Sequence, residues 1–298
     1  MNIIIIGSKG FIGTHCKHYF EAQGNQVFAC DVVTDYISPH YFQIDATQSD
    51  FRTVFDNEKF DVCINCSGAA SVPKSLQEPL SDYTLNTANV FKLLSTIKSL
   101  QPHCKFINIS SAAVYGNPKL QPISELHPCV PISPYGYHKM AAEAICSEFA
   151  FFWNLQTCSI RVFSAYGPGL YKQLFWDLAQ KAKSNDKVEL FGTGNESRDF
   201  IYISDLIVAL HTIIDKGNFA GDVYNIASGS ETKIVEVVSV FFELYKPSLQ
   251  YRFIGSNRSG DPLNWKADIT KITNLGFTPK VDLKTGLRNY IKWLNEKK

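Results

Sequence analysis

Two side chains four positions apart, Tyr135 and Lys139, offer the clearest chemistry in this sequence. In a helix that spacing sends both off one face, where they can meet over a bound molecule as a proton-transfer pair. A free tyrosine ionises near ~10 and is a poor base at neutral pH, but an adjacent ammonium favours the phenolate and lowers that value. A cationic ring lying against the phenol would push the same way. The run that follows, Met140 to Ile145, has the apolar periodicity such a helix requires. A surface helix can carry the same spacing idly, so the pair gains meaning only from the elements around it.

Ser111 stands just after a strand-like run, Cys104 to Ile109. Ligands of a doubly wound sheet lie at the carboxyl ends of its strands, so a serine there can hydrogen-bond an alcohol oxygen as the proton moves to Tyr135. The alternative is a serine that merely finishes a strand. Near the start, Gly7-Ser8-Lys9-Gly10-Phe11-Ile12-Gly13 follows the β-branched run Asn2 to Ile6, read as a buried parallel strand, and precedes a helical stretch, Thr14 to Gln23. The glycines permit a tight turn, close approach of backbone to a pyrophosphate, and close packing of helix on strand. The helix N-terminus adds free N–H groups and a positive dipole end. A second strand, Gln26 to Cys30, closes on Asp31, placed to accept ribose hydroxyls and to repel a 2′-phosphate. No Arg or Lys follows in Val32 to Thr34, so NAD rather than NADP is expected, unless Asp31 only ends its strand.

The other elements are read in the same way. Tyr41 to Asp45 is a third strand-like run whose end, Asp45-Ala46, could border the adenine. Phe51 to Lys59 is helical, and the strand Asp61 to Asn65 runs into the small residues Cys66-Ser67-Gly68-Ala69-Ala70, which let backbone lie along a cofactor. Asp82 to Leu100 reads as one helix. Its Asn86 either hydrogen-bonds a strand end near the cofactor or is an ordinary exposed helix residue. Cys63-Ile64-Asn65-Cys66 has CxxC spacing but lies in a buried strand rather than at an exposed helix start, and neither a second CxxC nor a histidine cluster completes a zinc site.

Composition narrows the classes. The 298 residues suffice for one large or two ordinary domains. Their 29 basic and 28 acidic side chains leave a formal net charge of +1 without a long basic run, so neither nucleic acid nor an anionic membrane surface is suggested as a partner. The opening Met1 to Ile6 is too short and lacks the basic flank of a signal peptide, and no apolar run is long enough to span a bilayer. Eight cysteines without paired spacing read as reduced buried thiols. A soluble cytoplasmic protein is expected.

Together, Gly7, Gly10 and Gly13, Asp31, Ser111-x-x-Val114-Tyr115-Gly116 and Tyr135-x-x-x-Lys139 resemble the extended short-chain dehydrogenase/reductases, specifically their nucleotide-sugar epimerases and dehydratases. Arg161-x-Phe163-Ser164-x-Tyr166-Gly167-Pro168, Gly192-Thr193-Gly194, Arg198 to Asp205, Tyr224 to Ala227, Arg258-x-Gly260-Asp261 and Leu275-Gly276-Phe277-x-Pro279 are similar to later motifs of that family, almost to the chain end. The resemblance implies that Tyr135 is the catalytic base or acid. Lys139 would lower its pKa and hold the nicotinamide ribose, and Ser111 would orient the sugar hydroxyl. It further implies that Gly7, Gly10, Phe11, Ile12, Gly13, Asp31, Asp45, Ala46, Ala69, Asn86, Ser110 and Phe163 line NAD. Arg198 and Arg258 would hold a diphosphate and Asp261 the nucleoside ribose. Arg198 beside Asp199 could instead form a local ion pair.

Departures from the pattern bear on the reaction. Dehydratases and decarboxylases of the family carry acidic residues between the active-site serine and the Val-Tyr-Gly, where this chain has Ala112-Ala113, so those reactions are disfavoured. Ser164 replaces the usual asparagine, and the segment Gly169 to Gln173 is unusual, with Lys172 a candidate phosphate contact. Trp265 falls at a position that gates the sugar C2 substituent in 4-epimerases; a bulky indole there favours unacetylated hexoses, unless it packs into the core. The implied fold is α/β, a doubly wound parallel (Rossmann) sheet in residues 1–163 and 202–226, with a smaller α/β substrate domain in 164–201 and 227–298. The implied activity is NAD-dependent 4-epimerisation of a nucleotide hexose of the UDP type. A 4-keto-6-deoxyhexose reductase is the alternative, and a cofactor sensor without activity would have lost Tyr135 or Lys139. A homodimer is expected from the resemblance.

Overall fold

The structure, a computed structural model, describes residues 1–45, 49–184, 186–255 and 262–296. Three layers dominate it. A seven-stranded sheet, parallel at every pairing, is built from β1 (Asn2–Ile6), β2 (Gln26–Asp31), β3 (Tyr41–Gln43), β4 (Val62–Asn65), β5 (Lys105–Ser111), β6 (Thr157–Val162) and, after an excursion, β10 (Ala220–Ile226). Its order is β10-β6-β5-β4-β1-β2-β3. The excursion contributes β7 (Ser164–Tyr166), β8 (Lys187–Leu190) and β9 (Ser197–Tyr202). After β10 come β11 (Glu231–Lys233) and β12 (Gln250–Phe253), giving a three-stranded sheet β11-β9-β7 and a pair β12-β8.

Helices cover both faces of the large sheet because its strands are apolar on both sides. Ile3 and Ile5 pack on one face with Cys16 and Phe20, Ile4 and Ile6 on the other with Leu93, Leu94 and Phe149, and all four isoleucines are fully buried. Burial of that kind stabilises by roughly 1.5–3 kcal/mol per side chain. The helices are α1 (Phe11–Ala22), α2 (Arg52–Asn57), α3 (Val72–Gln77), α4 (Pro79–Tyr83), α5 (Asn89–Leu100), α6 (Pro134–Trp153), α7 (Gln173–Ser184), α8 (Ile203–Lys216), α9 (Ile234–Tyr245), α10 (Thr270–Thr273) and α11 (Leu283–Glu296). The first face's apolar cluster runs on without a break through Phe175, Phe241 and Tyr290, which joins the small sheet to the large one. No helix among the described residues is long and apolar enough to cross a membrane.

Two short helices, α3 and α4, occupy the stretch around Pro73 and Pro79 that the sequence reads as a loop, and two further elements differ from the sequence reading. The segment Asp82 to Leu100 is not one α-helix: α4 passes into a π-helical turn, Thr84–Ala88, in which Asn89 N–H reaches back to the Thr84 carbonyl, before α5 begins. β5 also extends to Ser111, beyond the Ile109 boundary. Helix α6 is well specified locally, with Pro134 in its first turn and the Ser133 hydroxyl accepting from Gly136 N–H at 3.2 Å.

Candidate active site

β1 sits between β2 and β4, so the chain reverses direction across the sheet at β1, the position at which doubly wound sheets take their ligands. The reacting groups assemble beside it. Tyr135 lies in the first turn of α6, its backbone N–H donating to Ser75 Oγ at 3.1 Å. Lys139, one turn on, is buried, and its Nζ donates to the Ile109 carbonyl at 2.8 Å while standing 6.0 Å from the Tyr135 ring centre. Ser111 ends β5 and caps the following 3₁₀ turn, its hydroxyl accepting from Ala113 N–H at 3.2 Å and interacting with the phenol. The structure therefore brings Tyr135, Lys139 and Ser111 together.

Electrostatics at the pair run against the sequence expectation. Burial pushes the Tyr135 phenol up to about 12; Ser111 pulls it back and the Asp82 carboxylate adds to the rise. Burial likewise brings Lys139 down to about 8, against the pull of Asp82, Cys66 and Glu143. In the protein alone, then, desolvation outweighs any help from the lysine.

The glycine loop forms a cradle that only glycine could make. Gly7 has φ +78°, and a Cβ on it would lie 2.6 Å from Ser67 N; a Cβ on Gly13 would lie 2.2 Å from the Gly7 carbonyl oxygen. Phe11 and Ile12 start α1, half-buried, and Gly10 caps it. Asp31 ends β2 with Oδ2 accepting from Lys9 N–H and Oδ1 from Val32 N–H, both at 2.8 Å, and a carboxylate has lone pairs left for a ribose hydroxyl. Lys9 was overlooked beside it. Its ammonium pairs with Asp35 and lies over the Tyr41 ring at 5.1 Å, so a cation does stand at this rim, supplied by the glycine run rather than by residues after Asp31.

Asn86 is neither of the two things the sequence allowed. It is 1% exposed, and its Oδ1 and Nδ2 both lack a partner. A Cβ at Gly68, after β4, would lie 2.4 Å from that Oδ1 and 3.4 Å from Lys139 Nζ, so the orphaned amide and the Lys139 ammonium both approach Gly68. Buried Ser8 Oγ is unpartnered as well. Half-buried Ala69 adjoins Gly68, and Asp45 is exposed two residues past β3. The glycine cradle, the Asp31 carboxylate with lone pairs to spare and these orphaned polar atoms suit a dinucleotide. Ser110 needs a correction. Strand alternation turns it away from Ser111, and its hydroxyl bonds Glu143, which in turn holds Arg161 at 2.7 Å, so only its backbone can face the cofactor.

On the other wall, Phe163 packs edge-on against Trp265 at 5.8 Å. Trp265 is itself buried, with Nε1 donating to the Gly116 carbonyl at 3.1 Å, which is the packing alternative for this residue. Arg198 lies over the indole at 5.6 Å and donates to the Ser197 and Leu263 carbonyls, while Asp199 is engaged by Ser228 and Ala267. Ser164 opens β7, and burial lowers the pKa of Lys172, which bears on Lys139. The strand-adjacent loop ahead of Lys172 is held by His15 Nε2 on the Pro168 carbonyl at 2.8 Å. Ala46, Arg258 and Asp261 lie outside the described residues.

Comparison with known proteins decides the family. The model of the NAD dependent epimerase/dehydratase family matches residues 3–227. The chain belongs to that family. It is similar to UDP-glucuronate 4-epimerase 5 of Arabidopsis thaliana, 26% identical over 327 residues that cover 98% of this chain and 75% of the relative. Among solved structures it is similar to the UDP-glucose 4-epimerase of Thermotoga maritima with UDP-glucose, at TM-score 0.91 and 26% identity over 100% of this chain and 99% of the other. It is equally similar to the UDP-glucuronic acid 4-epimerase of Bacillus cereus in complex with UDP-glucuronic acid and NAD, at TM-score 0.90 and 25% identity over 100% of both chains.

Proposed function

We propose that the protein is an NAD-dependent nucleotide-sugar 4-epimerase of the UDP-hexose type. The observation that carries the reading is the convergence of Tyr135, Lys139 and Ser111 beside a dinucleotide cradle, in a chain whose full-length relatives include 4-epimerases. NAD, when bound, supplies reversible hydride chemistry at the sugar C4. The chain's residues do the rest: Ser111 holds the C4 oxygen, Tyr135 removes its proton and returns it, and Lys139 with Asn86 fixes the nicotinamide ribose. Gly7, Gly10, Gly13 and Asp31 hold the dinucleotide, while Arg198, Arg258, Asp261 and Lys172 hold the nucleotide and its diphosphate. Incubation with UDP-, dTDP-, CDP- and GDP-hexoses, followed by chromatographic separation of the 4-epimers, tests the reading; no epimer from any of them rejects it.

The same reading extends to assembly. Residues 1–163 and 202–226 form the cofactor domain and the remainder the substrate domain, in keeping with the strand membership of the sheets. Phe91 on α5 and Phe151 and Phe152 on α6 expose apolar rings, which supports pairing of these helices across a two-fold axis in a homodimer. Light scattering at twice the chain mass checks it. Eight free thiols fit a reducing, cytoplasmic setting.

A further inference from the structure

Next to Lys139 on α6 lies an acid–base contact that the mechanism above does not use. His138, the residue before Lys139, donates from Nδ1 to Asp82 Oδ2 at 2.6 Å. Asp82, on α4, is 3% exposed, and its other oxygen, Oδ1, has no partner. The contact is held from two further sides. Thr87 Oγ1, in the π-helical turn, donates to the His138 carbonyl at 2.9 Å, and the Tyr83 ring meets the imidazole edge-on at 5.4 Å. A buried carboxylate with one unsatisfied oxygen is costly, and its charge reaches far in a low dielectric.

We propose that His138 is a positioning residue that satisfies and screens the Asp82 carboxylate, so that the negative charge behind Tyr135 does not block loss of the phenol proton. The inference rests on Tyr135 being the proton-transfer group. The charged and titratable groups around the pair are Asp82 from α4, Cys66 from the end of β4, Glu143 on α6 itself, and Lys172 ahead of α7. Of these, Asp82 is the one that opposes ionisation of Tyr135, and it also supports the charge on Lys139. Ser111 is the neighbour that favours the phenolate. The imidazole N–H is the one hydrogen bond this carboxylate receives from a side chain among the described residues. Without it the buried carboxylate keeps no hydrogen bond from a side chain among the described residues.

The signs follow. His138→Ala leaves Asp82 uncompensated, which makes the phenolate harder to form and the ammonium harder to lose. Both limbs of the pH–kcat profile then move up by about one unit, so turnover at a fixed pH on the acid limb falls about tenfold. Asp82→Asn removes the charge and moves both limbs down. The double variant lies near the Asp82→Asn profile, because the histidine has nothing left to screen. His138→Asn places an amide N–H where Nδ1 stood and restores the parent profile. Should His138→Ala fail to fold, Asp82→Asn and His138→Asn decide between them. A difference titration of tyrosinate absorbance, each NAD-loaded variant against the same variant carrying Tyr135→Phe, reads the phenol without any substrate. Limbs and titrations in the stated order support the inference. If the titrations alone shift in that order while no nucleotide sugar turns over, the inference stands and the epimerase reading fails. Profiles that coincide across all variants, with only melting temperatures altered, reduce His138 to a structural clamp and overturn it.

Discussion

At the residue scale, the account turns on one hydroxyl. Tyr135 is pushed up to about 12 in the protein alone, so the phenol is a proton donor at rest and becomes a base only when something offsets its burial. Tyr135→Phe removes the ionisable oxygen and nothing else that packs; it should keep the fold and NAD affinity and lose roughly two to four powers of ten in kcat. Turnover within a few-fold of the parent would put the proton elsewhere. A second expectation belongs to Asp31, whose carboxylate is fixed by backbone N–H groups at the ribose rim. Titration should show NAD bound well and NADP poorly, with Asp31→Ala narrowing the gap because Lys9 remains nearby to meet a 2′-phosphate. Equal affinities in the unmodified protein would contradict it. Residue chemistry was legible where it lay in short motifs, as with Tyr135 and Lys139. It was not legible for Lys9 with Asp35 or His138 with Asp82, pairs 26 and 56 residues apart that only the fold brings together.

At the element scale, the parallel strands were readable because burial on both faces writes them as continuous β-branched runs, of which Asn2–Ile6 is the plainest. The π-helical turn was not, since no motif marks it: Thr84–Ala88 continues the helical stretch, and only the fold brings Thr87 within it onto the His138 carbonyl. Ser110 alternates with Ser111 along β5, and its hydroxyl meets Glu143 on α6. Glu143 and Arg161, whose side chains are each 7% exposed, hold β5, α6 and β6 together there. Glu143→Gln leaves the guanidinium buried without its counter-charge, so denaturation should show a loss of about 3–5 kcal/mol. A change under about 1 kcal/mol would mean that Tyr115 and the Glu125 carbonyl, the guanidinium's other partners, suffice.

At the scale of the whole molecule, the large sheet and the three-stranded one share one apolar cluster, so the elements around the candidate site are held against one another unless that cluster opens. Epimerisation asks for such a site: the hydrogen taken from C4 has to return to the same sugar after the ring presents its other face, without exchange with solvent. A reductase of the same fold must instead renew its cofactor on every turn. The measurement that separates them uses a nucleotide hexose deuterated at C4, given to the purified protein with no reduced cofactor added. The account predicts that the 4-epimer forms and keeps its deuterium at C4, with no net change in reduced-nicotinamide absorbance. Stoichiometric consumption of NADH with a 4-keto-6-deoxy sugar, and no interconversion of 4-epimers, would contradict it.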